Sequence, residues 1–316
     1  MTRIQDKPAT RQGRRRKAAW VAAITCGALL IAAAIPVALI MRSGRAVADR
    51  QPIRYLGLYE RGTPFSYTGV SAFTTATHVT PNMVMYYSPW QEPFQTSFAT
   101  AAADHHAVPL VQMNPSGISL AAVASGQYDA YLITFAKAVR AYRHPVILSL
   151  GHEMNGRWYS WGYTHTSPAV FISAWRHVVD LFRGLGVQNA TWLWTVNIID
   201  VAGGIASPAP WWPGRSYVNW VGIDGYYYSP SQTFSSLFGP TITAIREITG
   251  QPILIAETAV SSAADQPAQI NDLFAGIRLY GLLGFVWFSV QDWRLSSDKA
   301  IAAFRQGATG YLRPAS

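Results

Sequence analysis

This chain of 316 residues is poor in cysteine and in charge, and both shortages limit what the protein can be. Its one cysteine, Cys26, lies in an apolar run near the N-terminus. The rest of the chain therefore has no disulfide, no catalytic thiol and no cysteine-zinc site. Charged residues make up 13% and hydrophobic residues 50% of the sequence, which argues against extended disorder. No Gly-x-Gly-x-x-Gly segment follows an early apolar run, so a dinucleotide site has no support.

The excess of positive charge is confined to the N-terminal end of the chain. The formal net charge is +9, and nine of the 25 Lys and Arg residues precede residue 49, where Asp6 is the one acid. The remaining sequence is nearly neutral. A protein that binds nucleic acid would carry a basic patch on its folded domain, so no nucleic-acid partner is expected.

An apolar run at residues 18–41 predicts a membrane-spanning segment. A helix rises about 1.5 Å per residue, so this run is long enough to cross the bilayer core. The basic tail, residues 1–17, would hold the N-terminus in the cytoplasm. The alternative is a cleaved secretory signal with a cleavage site at 46–48. An uncleaved anchor is favoured because the run is longer than a usual signal core. Either way, the folded domain is expected outside the cell, membrane-anchored or secreted.

Residues 42–53 are interpreted as a linker and residues 54–316 as one folded domain. Eight continuous apolar runs, typical of parallel strands covered on both faces, alternate with amphipathic helical segments. The runs span residues 55–59, 83–88, 108–113, 146–150, 191–196, 220–224, 253–256 and 284–289. Eight such units and this length predict an α/β fold, a (β/α)8 TIM barrel preceded by an N-terminal transmembrane helix.

Two glutamates follow apolar runs that are expected to lie opposite each other in the barrel. Glu153 comes after the run 146–150, and Glu257 follows the run 253–256. The carboxyl ends of the strands carry the chemistry of such barrels, so both side chains can reach one substrate bond. Hydrolysis of a glycosidic bond requires one protonated and one ionised carboxyl group. We expect Glu153 to be the general acid and base and Glu257 the nucleophile. A separation of about 5 Å would imply retention of configuration.

Aromatic residues are abundant, with twelve tryptophans and sixteen tyrosines. Sugar rings have apolar C–H faces that pack on aromatic planes, so this composition suits a neutral polysaccharide. Several aromatic residues lie near predicted strand ends: Trp158, Trp161, Trp194, Tyr226, Tyr227, Trp287 and Trp293.

Other polar residues are given structural interpretations. Asp224, at the end of the sixth run, is interpreted as a structural hydrogen-bond acceptor, with a role in the site as the alternative. His105 and His106 are adjacent, so their side chains cannot converge on one ion in a regular helix or strand. No metal and no cofactor is therefore expected.

Two neighbouring segments resemble glycoside hydrolase family 26, a family best known for β-mannanases: His-Glu-Met-Asn-Gly at 152–156 and Trp-Tyr-Ser-Trp-Gly at 158–162. Further similar segments follow in the family's order at 174–178, 212–218, 220–226, 255–258, 292–294 and 302–305. The resemblance implies a (β/α)8 barrel with Glu153 as proton donor and Glu257 as nucleophile, which agrees with the assignment made from the residues.

The same resemblance implies roles for four further residues. His152 would contact the sugar at the cleavage site, and Tyr226 would hydrogen-bond the nucleophile. Trp158 and Trp287 would line the sugar-binding cleft. Asn155 is taken as a further substrate-binding residue.

The sequence therefore predicts a retaining endo-β-glycosidase that hydrolyses β-1,4-mannan or a related β-glycan by double displacement. Residues 112–115 and 258–260 differ from the family pattern, so mixed-linkage β-glucan, β-1,3-xylan and a bacterial exopolysaccharide stand beside mannan. A non-catalytic carbohydrate-binding barrel and a transglycosylase acting on a cell-envelope exopolysaccharide are the alternative functions. The expected partners are a polysaccharide and the membrane, and the catalytic domain is expected to be monomeric.

Overall fold

The computed structural model describes residues 54–200 and 205–309, which contain a closed barrel of eight strands in sequential order. All neighbouring strands are parallel, and the first strand closes the barrel on the eighth from Tyr55 beside Gly284 to Glu60 beside Ser289. The predicted (β/α)8 barrel is confirmed. The predicted tail, membrane segment and linker lie outside the described residues. Within the described ranges, no helix combines the length and hydropathy needed to cross a bilayer.

The strands coincide with the eight apolar runs, although the first extends farther than predicted. They are β1 Tyr55–Pro64, β2 Met83–Pro89, β3 Val108–Asn114, β4 Val146–Leu150, β5 Ala190–Asn197, β6 Trp220–Asp224, β7 Ile253–Thr258 and β8 Gly284–Ser289. The described α-helices are α1 Thr68–Thr77, α2 Thr96–Asp104, α3 Leu120–Ala124, α4 Asp129–Tyr142, α5 Pro168–Gly184, α6 Phe234–Ile248, α7 Gln266–Leu279 and α8 Asp298–Gly307. Short 3-10 helices span Ala209–Trp211, Arg215–Tyr217 and Gln291–Trp293.

Both faces of the strands are buried, which explains why the sequence runs are apolar without alternation. In β4, Ile147 belongs to the cluster inside the barrel, whereas Val146 and Leu148 pack outward in the larger cluster that includes helix residues. The same alternation decides which side chains at the carboxyl ends of the strands face the barrel mouth.

Side-chain caps begin several helices that follow the strand ends. The hydroxyl of Ser167 accepts a hydrogen bond at the start of α5, and Ser297 does the same at α8. At α6, Thr233 and Ser236 form a reciprocal capping box. Such caps satisfy backbone N–H groups that the helix leaves unpaired. They therefore fix the points at which the loops of the barrel mouth return to the helix layer.

Candidate active site

Glu153 lies in a turn after β4 whose backbone enters the left-handed region. Its φ is 55°, and Gly151 just before it has a φ of 58°. The Glu153 N–H donates to the Thr195 carbonyl of β5 at 2.9 Å. A left-handed conformation is uncommon for glutamate and persists where the surroundings fix it, often at functional sites. The turn is thereby attached to the neighbouring strand with Glu153 at the barrel mouth.

Two neutral N–H donors hold the Glu153 carboxyl group. The indole Nε1 of Trp158 donates to Oε2 at 2.7 Å, and the amide Nδ2 of Asn197 donates to Oε1 at 2.5 Å. Burial raises the pKa of Glu153, while the hydrogen bonds from Asn197 and Trp158 lower it. The net shift is upward, which favours a carboxyl group that keeps its proton at higher pH.

An irregularity in β7 turns Glu257 toward the barrel mouth. Leu254 and Ala256 belong to the inner cluster, so strict alternation would place Glu257 on the outer face. The pairing of β6 with β7 instead shifts register between Ile223 and Asp224, and Asp224 pairs with Glu257. Bulges of this kind re-aim side chains next to active sites.

Two phenol hydroxyls hold the Glu257 carboxyl group. Tyr87 of β2 donates to Oε1 at 2.5 Å, and Tyr226 donates to Oε2 at 2.8 Å. Burial and the negative charge of Glu153 raise the pKa of Glu257 to about 8, against the lowering effect of the hydrogen bonds from Tyr87 and Tyr226. The sequence resemblance implied this hydrogen bond from Tyr226 to Glu257.

Asp224, at the end of β6, contributes a third carboxyl group to the same cluster. One oxygen from each of Glu153, Asp224 and Glu257 lies within 4.8 Å of the other two. Asp224 is fully buried, and neither of its oxygens accepts a hydrogen bond from the described residues, so its interpretation as a structural acceptor is wrong. Burial and the charges of Glu257 and Glu153 raise its pKa well above the usual range, which favours the neutral form of Asp224 beside an ionised glutamate.

Three acidic side chains this close could hold a hard cation, and in the described part of the chain they are the one group with such spacing. The four oxygens of Glu153 and Glu257 already accept hydrogen bonds from neutral donors. Because a neutral donor contacts each oxygen, a negative charge on either carboxyl group is stabilised over both of its oxygens. These hydrogen bonds therefore satisfy the oxygens of both glutamates with neutral groups of the protein itself.

His152 is buried next to Glu153 and is connected to the cleft through an aromatic neighbour. Its Nε2 lies 3.1 Å from the hydroxyl of Tyr159, which lines the cavity, and its ring is 5.6 Å from that of Tyr87. Burial lowers the pKa of His152 to about 3, so its imidazole is neutral at physiological pH. A direct sugar contact by His152 stays a prediction.

Asn155 is a positioning residue, which corrects its assignment as a substrate-binding residue. Its side chain is fully buried and is engaged by backbone groups. Nδ2 donates to the carbonyls of Asn197 and Ala206, and Oδ1 accepts from the Asn197 N–H at 2.8 Å. Asn155 therefore holds Asn197, whose own side chain donates to Glu153.

Trp287 lies on the outer face of β8, so its assignment to the cleft is wrong. The side chain is fully buried and packs on Phe304 of α8, with ring centroids 5.5 Å apart. Val286 points into the barrel, and alternation then sends Trp287 outward and Phe288 inward. Phe288 lines the cavity and stacks on Tyr59 with a centroid distance of 4.7 Å.

A cavity of about 540 Å³ opens over both glutamates. Its rim carries exposed aromatic surface from Trp158 and from Tyr228, which meets Trp293 edge-on at 5.0 Å. The lining includes Tyr87, Glu153, Trp158, Tyr159, Asn197, Tyr226, Tyr228, Glu257 and Phe288. Sequence reasoning missed Tyr87, Tyr159, Asn197, Tyr228 and Phe288 as site residues. Tyr87 and Asn197 could have been found as polar side chains at the carboxyl ends of predicted strands.

Residues 97–271 match the model of the family described as glycosyl hydrolase family 26. Endoglucanase H of Acetivibrio thermocellus is 29% identical over 265 residues, which cover 78% of this chain and 29% of that protein. Mannan endo-1,4-beta-mannosidase A and B of Caldalkalibacillus mannanilyticus is 30% identical over 86 residues, 25% of this chain and 16% of that protein. This chain thus spans less than a third of the length of either relative.

The barrel is also similar to solved structures. The Bacillus subtilis mannanase BCman superposes with a TM-score of 0.66 and 18% sequence identity, covering 88% of this chain and 91% of that one. At this level of identity the likeness establishes the shared barrel fold.

Proposed function

Because this chain belongs to glycosyl hydrolase family 26, we propose that it is a retaining endo-β-glycosidase that hydrolyses a β-linked polysaccharide, with β-1,4-mannan as the first candidate. One observation carries the proposal: Glu153 and Glu257, buried at the ends of strands on opposite sides of the barrel, present carboxyl oxygens within 4.8 Å of each other. Retaining glycosidases hold their two carboxyl groups about 5 Å apart, whereas inverting enzymes leave room for a water molecule between them.

In the first step, a Glu257 oxygen attacks the anomeric carbon and forms a covalent glycosyl ester. The bond from that carbon to the leaving oxygen breaks, and the leaving oxygen takes the proton of Glu153. In the second step, Glu153 removes a proton from water while the water oxygen bonds to the anomeric carbon. Glu257 leaves as a carboxylate, and two inversions give net retention.

The environment of the pair supports this division of roles. Each glutamate is buried and close to the other, so ionisation of one opposes ionisation of the other. Glu257 accepts two O–H bonds from phenols, whereas Glu153 accepts N–H bonds from an indole and an amide. Short O–H bonds to a carboxylate are strong, so Tyr87 and Tyr226 favour the ionised form of Glu257 that attacks the sugar. Ester formation removes that charge, which lowers the pKa of Glu153 and allows it to act as a base.

The proposed substrate is a neutral β-glycan. The folded part of the chain is nearly neutral, and the cavity rim offers Trp158 and Tyr228 as exposed aromatic planes. Similarity to a mannan endo-1,4-beta-mannosidase supports mannan, and similarity to an endoglucanase keeps β-glucan as the next candidate.

The test is to incubate the full chain with β-mannan, mixed-linkage β-glucan and β-1,3-xylan and to identify the fresh products by NMR. We expect soluble oligosaccharides whose first-formed reducing ends are β-anomers. Glu257→Ala should reduce turnover by several orders of magnitude. Glu247→Gln, which changes an exposed carboxyl group on α6, should leave turnover unchanged.

Two outcomes would contradict the proposal. First-formed α-anomers would show inversion. Tight binding of these polysaccharides without release of sugar would favour a carbohydrate-binding barrel.

For the roles of the two acids, Glu153→Ala should recover most activity on aryl glycosides with good leaving groups, because these need little protonation. Better recovery in the Glu257 variant would reverse the assignment.

We also propose that residues 18–41 tether the catalytic domain to the outside of the cell membrane. The proposal is supported by the apolar run and the basic tail before it. Fractionation of expressing cells, with sequencing of the mature N-terminus, tests it. We expect the intact chain in the membrane fraction, whereas a mature chain that begins after Ala48 would show secretion.

A further inference from the structure

The end of the barrel opposite the active site carries an excess of arginine. In this barrel the helices run against the strands, so the last turns of the helices and the segments that lead into the strands share that end. Eight arginines lie there: Arg54, Arg140, Arg143, Arg183, Arg215, Arg246, Arg278 and Arg305. Three acids lie at the same end: Asp104, Asp180 and Glu247. We call this end the basic pole, and the active site uses none of its residues.

The near-neutral charge of the whole domain hides this local excess. Around the barrel mouth, exposed acids and bases nearly balance: Glu92, Asp200, Asp265, Asp292 and Asp298 against Arg61, Arg157, Arg294 and Lys299. The field near a surface depends on the charges close to it rather than on the total. An anionic partner would therefore be attracted to the basic pole and little to the mouth.

Backbone carbonyls hold several of these arginines without neutralising them. Arg140 donates to the carbonyl of Leu185 at 2.8 Å, and Arg183 donates to the carbonyl of Ser216 at 2.6 Å. Two more arginines contact carbonyls in the same way: Arg246 and Arg305. A carbonyl oxygen carries no net charge, so each guanidinium group keeps its positive charge. The bond to Ser216 also places Arg215 beside the end of α5, so the pole has a continuous basic sector there.

Helix dipoles account for only part of this excess. A cation in the last turn of a helix is stabilised by the dipole, which explains residues such as Arg140 and Arg183. Arg54 and Arg215 lie outside the α-helices, and Arg143 follows the end of α4. These three side chains are exposed, and their guanidinium groups form no hydrogen bond or ion pair with the described residues. They are therefore available to an anionic partner.

The chain enters the barrel at this pole. The Arg54 N–H donates to the carbonyl of Leu283 at 2.9 Å, and β1 begins at the next residue. The apolar run that we propose as a membrane tether ends at residue 41, and residues 42–53 join it to Arg54. Fully extended, this linker spans at most about 40 Å. Such a tether keeps the pole at a high local concentration near lipid, so weak attraction suffices for docking.

We propose that the basic pole docks on the membrane that tethers the chain, where its arginines contact anionic phospholipid headgroups. Arginine binds phosphate groups through paired N–H bonds. The tether favours lipid over a soluble polyanion because it holds lipid next to the pole. In the docked state the barrel mouth faces away from the lipid, toward the polysaccharide. This inference rests on the proposed tether and does not depend on the proposed glycosidase activity.

The test places the full chain in lipid nanodiscs and measures energy transfer from a dye on the barrel to a labelled lipid. Every variant carries Cys26→Ala, and the dye is attached at Gln188→Cys on the basic pole or at Ser262→Cys at the mouth. The discs contain phosphatidylcholine alone or mixed with anionic phosphatidylglycerol. We expect strong transfer from the pole dye in mixed discs only. Raising salt to about 1 M, where the Debye length is about 3 Å, should remove most of it.

A charge-neutral variant tests the arginines themselves. Arg54→Gln, Arg143→Gln and Arg215→Gln are combined because these side chains make no hydrogen bond or ion pair that the described part of the fold would lose. The ratio of docked to undocked barrel in mixed discs should fall at least about tenfold. The matched control makes the same change in net charge at the mouth, with Arg61→Gln, Arg157→Gln and Lys299→Gln combined. It should leave the ratio unchanged.

Several results would overturn the proposal. One is equal transfer from the pole dye in neutral and mixed discs, and another is a mouth dye that lies nearer to the lipid than the pole dye. A triple arginine variant that melts like the parent and docks as well would do the same. Docking that requires an added soluble anionic polysaccharide would assign the pole to that partner instead.

The design separates this inference from the other proposals. A chain that does not enter the discs contradicts the tether. Sedimentation of that chain with vesicles of the mixed lipid then decides the role of the pole, with salt-sensitive binding in support and no binding against it. None of these readouts involves turnover, so a protein that hydrolyses no glycan gives the same answer about the pole.

Discussion

At the scale of single residues, the site depends on two carboxyl groups that share one buried space. Burial and the negative charge of Glu153 together raise the pKa of Glu257 to about 8. The donors on the two groups differ: phenol hydroxyls contact Glu257, and N–H groups contact Glu153. Changes to the neighbours should therefore shift the protonation of Glu257 in a predictable direction.

The first prediction concerns the repulsion between the two glutamates. Glu153→Gln removes a negative charge next to Glu257, so the charged form of Glu257 becomes more favourable and its pKa should fall below about 8. The pH dependence of covalent labelling by a 2-fluoro glycoside with a good leaving group measures that pKa. Glu247→Gln is the charge-matched control and should leave the labelling profile in place. A profile that moves to higher pH in Glu153→Gln would refute the argument.

The second prediction concerns the phenol donors. Tyr87→Phe and Tyr226→Phe each remove a hydrogen bond that favours ionised Glu257, so its pKa should rise and the acidic limb of the kcat/KM profile should move to higher pH. A hydrogen bond to a charged group contributes about 1.5–3 kcal/mol, so activity should fall roughly 10- to 100-fold. Tyr163→Phe, which changes a partly exposed tyrosine, is the control. Loss of activity without movement of the acidic limb would indicate a role other than stabilising the charge.

At the scale of elements, strand alternation and its interruptions decide which side chains face the substrate. Regular alternation in β8 sends Trp287 to the helix layer and Phe288 to the cleft. In β7, a register shift reverses the expected direction of Glu257. The turn after β4 places Glu153 through a left-handed backbone conformation. Each of these backbone features spans only a few residues, and each determines which side chain faces the substrate.

The third prediction tests the alternation in β8. Trp287→Phe leaves a void in the packing against α8, so it should destabilise the fold by about 1–3 kcal/mol and leave kcat/KM nearly unchanged. Phe288→Ala removes a ring from the cleft and should lower kcat/KM about tenfold or more. Thermal unfolding and steady-state kinetics on both variants measure the two effects. A larger loss of kcat/KM in Trp287→Phe than in Phe288→Ala would place Trp287 in the cleft.

At the scale of the whole molecule, closure of the barrel brings distant parts of the chain together and removes their carboxyl groups from water. Tyr87 and Glu257, which share a hydrogen bond, are 170 residues apart in sequence. Burial of Glu153, Asp224 and Glu257 in one cluster favours their neutral forms, so the folded state binds protons that the unfolded chain releases. The site therefore makes the stability of the whole domain depend on pH.

The fourth prediction is the sign of that dependence. The pKa of Glu257 is about 8 in the folded protein and 4.5 as a free side chain. Below pH 4.5 both states are protonated, so Glu257 costs no stability there. Between pH 4.5 and 8 only the folded state keeps the proton, and the free energy of unfolding decreases as pH rises. Glu257→Gln removes this loss and should stabilise the domain more at pH 8 than at pH 5, by a difference on the order of a few kcal/mol.

Melting temperatures of the parent chain and Glu257→Gln at pH 5, 6.5 and 8 measure this difference. Glu247→Gln, on the surface of α6, should give the same difference from the parent at all three pH values. An increment in Glu257→Gln that is constant or shrinks toward pH 8 would mean that burial does not raise the pKa of Glu257.

The sequence by itself determined the eight strands, because parallel strands buried on both faces need long apolar runs, and those runs are visible without coordinates. It also predicted that Glu153 and Glu257 would converge, because both follow runs whose carboxyl ends meet at one rim. Family membership follows from segments such as 152–156, whose order along the chain is specific. These features depend on the local sequence pattern and on the order of segments along the chain.

The tertiary structure alone decided which neighbours surround the two acids. Tyr87 of β2 contacts Glu257, and Asn197 of β5 contacts Glu153. The members of each pair are far apart in sequence, so no local sequence pattern predicts the contact. The bulge in β7 depends on its pairing with β6, and the outward direction of Trp287 depends on its register in β8. Burial sets the protonation of the site, and burial exists only after the barrel closes, because water is excluded by parts of the chain far apart in sequence.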